Sequence, residues 1–169
     1  MIGSVCYVDL LGFSYLTKKS KEIHFRKIID KCILNLHENI HNAIQNTKIK
    51  YSVLSDSVFL FTEDECDALI ITLPKIFRNC INSGILLRGG LSYGEYEIRK
   101  TKLTEINIYG DAVTRAVKLE NSGKGCRIFI DQDIPAQCKA LPCNPEIFMP
   151  YRNYANYSYI DIFNWPLLF

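Results

Sequence analysis

Ser4-Val5-Cys6-Tyr7-Val8-Asp9-Leu10-Leu11-Gly12-Phe13 is the stretch from which the rest of the chain can be read. Val5 to Val8 form a β-branched and aromatic run, long enough for a strand and too short for a helix. Asp9 comes where the run should continue, and two apolar residues follow it. A carboxylate left unpaired there is costly, so a cation is its expected partner. Gly12 lets the backbone turn tightly beside whatever the carboxylate holds. The alternative is that Asp9 is the N-cap of the next helix.

The chain has 169 residues, which suits a single domain over 1–169 with a real core. Its hydrophobic content of 48% and charged content of 22% are ordinary for a globular protein. A net charge of +2 is too small to argue for nucleic acid or an anionic membrane. No stretch reaches the roughly 18 apolar residues of a membrane span, and the N-terminus lacks the basic region of a signal peptide. The seven cysteines have no paired spacing. Cys6, Cys32 and Cys80 read as small buried hydrophobes, and Cys138 and Cys143 lack a second pair to complete a zinc site. A reduced, cytoplasmic protein is the expectation.

A basic bridge, Lys18 to Lys21, leads to a long helix from Lys21 to Gln45. Ile28, Ile29, Cys32, Ile33, Leu36 and Ile40 form its apolar stripe. His37-Glu-Asn-Ile-His41 matches a short zinc pattern, but no third ligand follows, so a solvated face is the better reading. Lys50 to Phe61 reads as a β-hairpin around Ser55-Asp56-Ser57, which puts a second acid at a strand end. Glu63 to Asp67 is an acidic bridge. A helix from Cys66 to Asn82 follows, kinked or split by Pro74.

The strand Ile85 to Tyr96 contains Gly89 and Gly90, which suggest close backbone approach to another element or a ligand. Arg99, Lys100 and Lys102 read as a solvated loop. Ile106 to Gly110 leads into a helix from Asp111 to Glu120, and Cys126 to Asp131 is a further strand. Residues 132–156, with four prolines, read as irregular, and Tyr157 to Phe163 as a terminal strand. The order is β-α-β-β-α-β, then an extra C-terminal helix and strands. This is an α+β, ferredoxin-like split βαβ sandwich with helices on one face of an antiparallel-rich sheet. Its first and third strands are neighbours, so Asp9 and Asp56 should face each other. Two carboxylates so placed share a proton or bind a divalent metal.

From Tyr7 to Asp131 the chain resembles the class III nucleotidyl cyclases. Tyr7-Val-Asp9-Leu-Leu-Gly-Phe13 is similar to that family's first metal motif. Leu54-Ser-Asp56 is similar to the second, with Ser55 where glycine is usual. Leu87-Arg88-Gly-Gly-Leu-Ser-Tyr-Gly94-Glu95 is similar to the strand carrying a phosphate-binding arginine. Ile108 to Glu120 is similar to the helix segment with the transition-state residues. The resemblance implies a homodimer with shared active sites, one subunit supplying metal ligands and the other the base and transition-state contacts. It also implies two Mg2+ or Mn2+ ions on Asp9, Asp56 and the main-chain carbonyl of Leu10, and Arg88 as a clamp on the β- and γ-phosphates. Thr114 stands where the family has a transition-state asparagine, and Lys118 where it has an arginine, so Lys118 keeps charge but loses the fork.

The base-reading lysine and aspartate of adenylate cyclases align with Ser52, with Tyr51 beside it, and with Asn107. Strict strand alternation puts Ser52 on the Asp56 face, whereas a bulge would bring in Tyr51. Asn107 has a donor and an acceptor, which suits a pyrimidine edge. These departures resemble the pyrimidine cyclases of bacterial Pycsar anti-phage systems. That resemblance implies conversion of UTP, or less favourably CTP, to the 3′,5′-cyclic nucleotide, which activates a separate effector protein. A purine cyclase and an inactive nucleotide-binding regulatory domain are the competing readings.

Overall fold

The computed structural model describes residues 1–63, 66–99, 107–131, 134, 151–154 and 157–160. In chain order the elements are β1 (Ile2–Leu10), α1 (Phe13–Lys18), α2 (Ile23–Ile44), β2 (Lys50–Leu54), β3 (Ser57–Glu63) and α3 (Asp67–Asn82). They continue with β4 (Leu87–Glu95), β5 (Glu97–Arg99), β6 (Asn107–Tyr109), α4 (Asp111–Asn121), β7 (Ile128–Ile130), β8 (Tyr151–Tyr154) and β9 (Tyr157–Ile160). One sheet has the strand order β2-β3-β1-β4-β7-β9-β8, and β5 pairs with β6 in a separate ribbon. The fold is α+β, and β2-β3-β1-β4 is the expected split βαβ arrangement.

β1 is hydrogen-bonded on both sides, antiparallel to β3 and to β4. Its apolar run is continuous because both faces of the sheet are covered. Cys6, Val8 and Leu10 join Leu36 and Ile40 of α2 and Leu69, Ile70 and Phe77 of α3 in the main core. Val5 and Tyr7 point the other way, into a smaller core with Ala112, Val113 and Ala116 of α4. The two helices of the split βαβ unit, α2 and α3, share one face as expected, and the extra helix, α4, takes the other. The reason lies in β4. A Cβ on Gly90 would collide with the Ala116 carbonyl and lie 2.7 Å from the Glu120 nitrogen, so glycine lets α4 seat directly on the strand. The close approach suggested by the glycine pair is thus made by a helix.

Other expectations shift modestly. Pro74 lies inside α3, which continues through it unbroken. The proline removes one backbone hydrogen bond, but Leu73, Ile76 and Phe77 beside it are fully buried and hold the helix down. Asp9 is not a helix cap. The N-cap of α1 is Gly12, at φ 84°, with no side-chain cap. Arg99 belongs to β5 and lies over the Tyr109 ring, 5.3 Å from its centroid. The expected irregular segment 132–156 contains β8. Its remainder, apart from Ile134, lies outside the described residues, as do Lys100, Lys102, Cys138, Cys143 and residues 161–163 of the expected terminal strand. Among the described residues no helix is long and apolar enough to cross a membrane.

Candidate functional site

The register of β1 assembles the site. Asp9 pairs with Ser57 on β3 and with Arg88 on β4, so Asp56, the residue before Ser57, stands at the end of β1 beside Asp9. Asp56 is held there by a two-residue hairpin. Ser57 Oγ donates to the Leu54 carbonyl at 2.8 Å across the tip. Ser55 takes φ 59°, a left-handed conformation that disfavours any residue with a Cβ. This accounts for the glycine usual at that position in the resembling motif. Ser55→Gly is expected to raise stability by about 0.5–1 kcal/mol. A urea midpoint that stays put or falls would refute the strain.

Asp9 is half-buried, and among the described residues its carboxylate closes no ion pair. Burial, then the charges of Asp56 and Glu120, push its carboxyl up to about 6, while Arg88 and the Leu10 N–H pull it back. Two carboxylates side by side, with the nearby guanidinium paired elsewhere, favour binding of a cation. Among the described residues no group of three or more His, Cys, Asp and Glu side chains gathers. The donor set is the Asp9–Asp56 pair with main-chain oxygens such as that of Leu10. His37 and His41 sit on α2, and nothing among the described residues completes a zinc site around them.

Arg88 is occupied. Its Nε and Nη2 both meet Glu120 Oε1 on α4, and Nη1 donates to the Gly123 carbonyl at 3.2 Å. Glu120 is 2% exposed. A guanidinium held in this way stands beside Asp9 in a fixed orientation, and to clamp the β- and γ-phosphates as the resemblance implies it would first have to leave Glu120. Glu120 was not legible as part of the site, since its partner lies 32 residues away.

On β2 the pairing Lys50↔Phe61 to Leu54↔Ser57 runs without a bulge. Ser52 is therefore opposite Phe59, on the face of Asp9. Tyr51 is opposite Leu60 and packs against the main core, on the other face of the sheet from Asp9. The site face also carries a feature absent from the motif reading. The Tyr7 and Phe59 rings meet at 4.9 Å, tilted, between Ser52 and Asp9. Burial raises the Tyr7 phenol above its ordinary value, so it remains a donor at neutral pH.

Thr114 and Lys118 lie one turn apart on the exposed face of α4. The Thr114 hydroxyl already donates to the Gly110 carbonyl at 3.1 Å, so the hydrogen bond expected from it is committed locally. Asn107 starts β6, opposite Arg99, in the ribbon that follows the end of β4 paired with Ile2. Ile2, at that end, and Asp9 are seven residue steps apart on β1, about 23 Å at strand rise. A cavity of about 360 Å³ opens there, bordered by Glu95, Glu97, Tyr109 and Asp111. Three carboxylates make it a poor seat for a triphosphate. Within one chain, then, Asp9, Asp56 and Arg88 come together, Ser52 shares their face, and Asn107 stands apart.

No family model matches the sequence, and no curated protein does. Solved structures match along nearly the whole chain. The monomeric guanylyl cyclase domain of the RhoGC fusion protein from the aquatic fungus Blastocladiella emersonii has a TM-score of 0.74 at 16% identity, covering 94% of this chain and 92% of that one. The catalytic core of a rhodopsin-guanylyl cyclase with converted specificity, in complex with ATPαS, has a TM-score of 0.71 at 12% identity, covering 94% of each chain. The adenylyl cyclase CyaB from P. aeruginosa has a TM-score of 0.68 at 13% identity, covering 95% of this chain and 94% of that one. At these identities the shared property is the fold, which is that of the cyclase catalytic domain.

Proposed function

We propose that this chain is a nucleotidyl cyclase that turns UTP, or less favourably CTP, into the 3′,5′-cyclic nucleotide and pyrophosphate. The observation that carries the reading is the Asp9–Asp56 pair, set side by side by the Asp9↔Ser57 register. The pair fits hard divalent cations, Mg2+ or Mn2+, which prefer carboxylate and carbonyl oxygens. When bound, such ions lower the pKa of a ribose hydroxyl and offset charge on phosphates. The chain's own residues do the rest. Nucleophile and phosphorus belong to one molecule, so geometry and charge are what the protein must supply. Asp9 and Asp56 fix the triphosphate end, Arg88 adds a standing positive charge there, and Lys118 reaches phosphate oxygens from the open face of α4.

A second copy completes the site in this reading. Lys118 and Thr114 face outward on α4, and Asn107 belongs to the ribbon reached from the Ile2 end of β1, the end opposite Asp9, so a partner chain is the natural source of these contacts. Mixing inactive Asp9→Ala with inactive Lys118→Ala subunits is expected to restore one site per heterodimer. Demonstrated subunit exchange with no recovered activity would exclude shared sites.

Pyrimidine selection rests on Ser52 and Asn107. Ser52, where a purine-reading lysine would stand, shares the Asp9 face, and an asparagine amide offers both donor and acceptor to a uracil or cytosine edge. The solved neighbours are named as guanylyl and adenylyl cyclases, so purine substrates are the specific rival. By the resemblance to anti-phage pyrimidine cyclases, the product would act inside the cell as a messenger for a separate effector protein. The test is a four-nucleotide competition with Mn2+, with products identified by mass and Asp56→Ala as control. Cyclic UMP or cyclic CMP absent from the control is the expected result. Cyclic AMP or cyclic GMP would refute the base assignment, and no cyclic product would favour a nucleotide-binding regulatory domain.

A further inference from the structure

Arg88 and Asp9 are direct cross-strand neighbours on one face of the sheet. An arginine opposite an aspartate ordinarily closes a forked ion pair with it. Such a pair would take up the carboxylate lone pairs that a cation needs. Here it does not form. The guanidinium turns toward α4, where two of its nitrogens meet one Glu120 oxygen and a third reaches the Gly123 carbonyl. Fastening α4 to the sheet does not require this arrangement. Gly90 already admits the helix, Ser92 Oγ donates to the Ala112 carbonyl, and Arg115 bridges to the Tyr93 carbonyl and to Asp131. A buried ion pair is also a weak source of net stability. What Glu120 does that no other contact on α4 does is occupy the arginine next to Asp9.

We infer that Glu120 is a positioning residue that holds Arg88 off Asp9 and so keeps the Asp9 carboxylate open to a divalent cation. The inference rests on the cation site proposed above. The acid on α4 need not touch the cation. Its position sets the direction in which the guanidinium points.

The experiment is Mn2+ binding in the absence of nucleotide, by titration calorimetry or loss of the free Mn2+ resonance, at fixed ionic strength. Glu120→Gln frees Arg88 to pair with Asp9 and is expected to weaken Mn2+ about tenfold or more. Glu120→Asp keeps the charge but withdraws it by one methylene, and an intermediate loss is expected. Arg88→Gln/Glu120→Gln removes the competitor as well, and its affinity should return to within about threefold of the parent. Unchanged binding in Glu120→Gln, or a double variant as weak as the single, overturns the inference, because a merely structural role gives no rescue. Should Glu120→Gln fail to fold, the charge-neutral double variant decides: parental affinity supports the inference and weakened affinity overturns it. Parent protein that binds no Mn2+ removes the cation site and the inference with it. That result is distinct from a parent that binds beside a Glu120→Gln that binds equally.

Discussion

Asparagine in place of Asp9 is expected to lower cyclic nucleotide formation by about a thousandfold or more, the equivalent of about 4 kcal/mol of lost charge stabilisation. The same change should stabilise the metal-free protein at neutral pH. The folded chain holds the Asp9 proton up to about pH 6, because burial and the neighbouring charges of Asp56 and Glu120 oppose ionisation. The unfolded chain releases it near pH 4, as an ordinary aspartate does. Between those values the folded state binds more protons, so stability falls as pH rises through the window and stays lower above it. With screening at a half-exposed group, about 1 kcal/mol is at stake, or about 3 °C in melting temperature. Thermal melts in chelator should therefore show the asparagine variant level with the parent at pH 4 and above it at pH 7.5. Higher activity with lower stability would reject both halves of the expectation.

The second large effect concerns α4. Gly90→Ala places a methyl group against the Ala116 carbonyl, 2.7 Å from the Glu120 nitrogen and 2.8 Å from Leu119 Cβ. Backbone atoms cannot rotate away, so α4 must lift from β4. A loss of about 3 kcal/mol or more is expected in chemical denaturation, at the upper end of overpacking costs. Lifting the helix also pulls Glu120 from Arg88, so Mn2+ binding should weaken before the fold is lost. Gly89→Ala is the control. Its nearest neighbour, the Tyr7 carbonyl, is 3.1 Å from the added Cβ, so a smaller loss is expected there. Equal losses at both positions would deny the special seat of α4.

These two positions show which parts of the chain could be read in advance. Asp9 and Asp56 were legible because each interrupts an apolar strand run, and a split βαβ order brings those strand ends together whatever the side chains are. The side taken by α4 was not legible. It is fixed by what is missing, a Cβ at Gly90 and bulk at Ala112 and Ala116, and small residues leave no hydrophobic pattern. The pairing of Arg88 with Glu120 was not legible, because that buried partner lies on another element and pairings of that kind are set only by the packed fold. Which of Ser52 and Tyr51 shares the Asp9 face turned on a bulge that residue types do not announce. β8 was hidden for a similar reason, since the prolines before it argue for irregular chain while the strand itself is short.

The two acids that face each other are anchored very differently. Asp9 ends a strand bonded on both sides, whereas Asp56 rides on a tip whose outer strand, β2, is an edge of the sheet. Their amides should therefore exchange with deuterium on different clocks, slowly along Tyr7 to Leu10 and quickly from Leu54 to Ser57. A divalent ion that bridges them would be bound by a rigid half and a yielding half. Its arrival is expected to slow exchange at the hairpin tip and leave the central strand as it was, which makes the tip the natural place to watch the site fill.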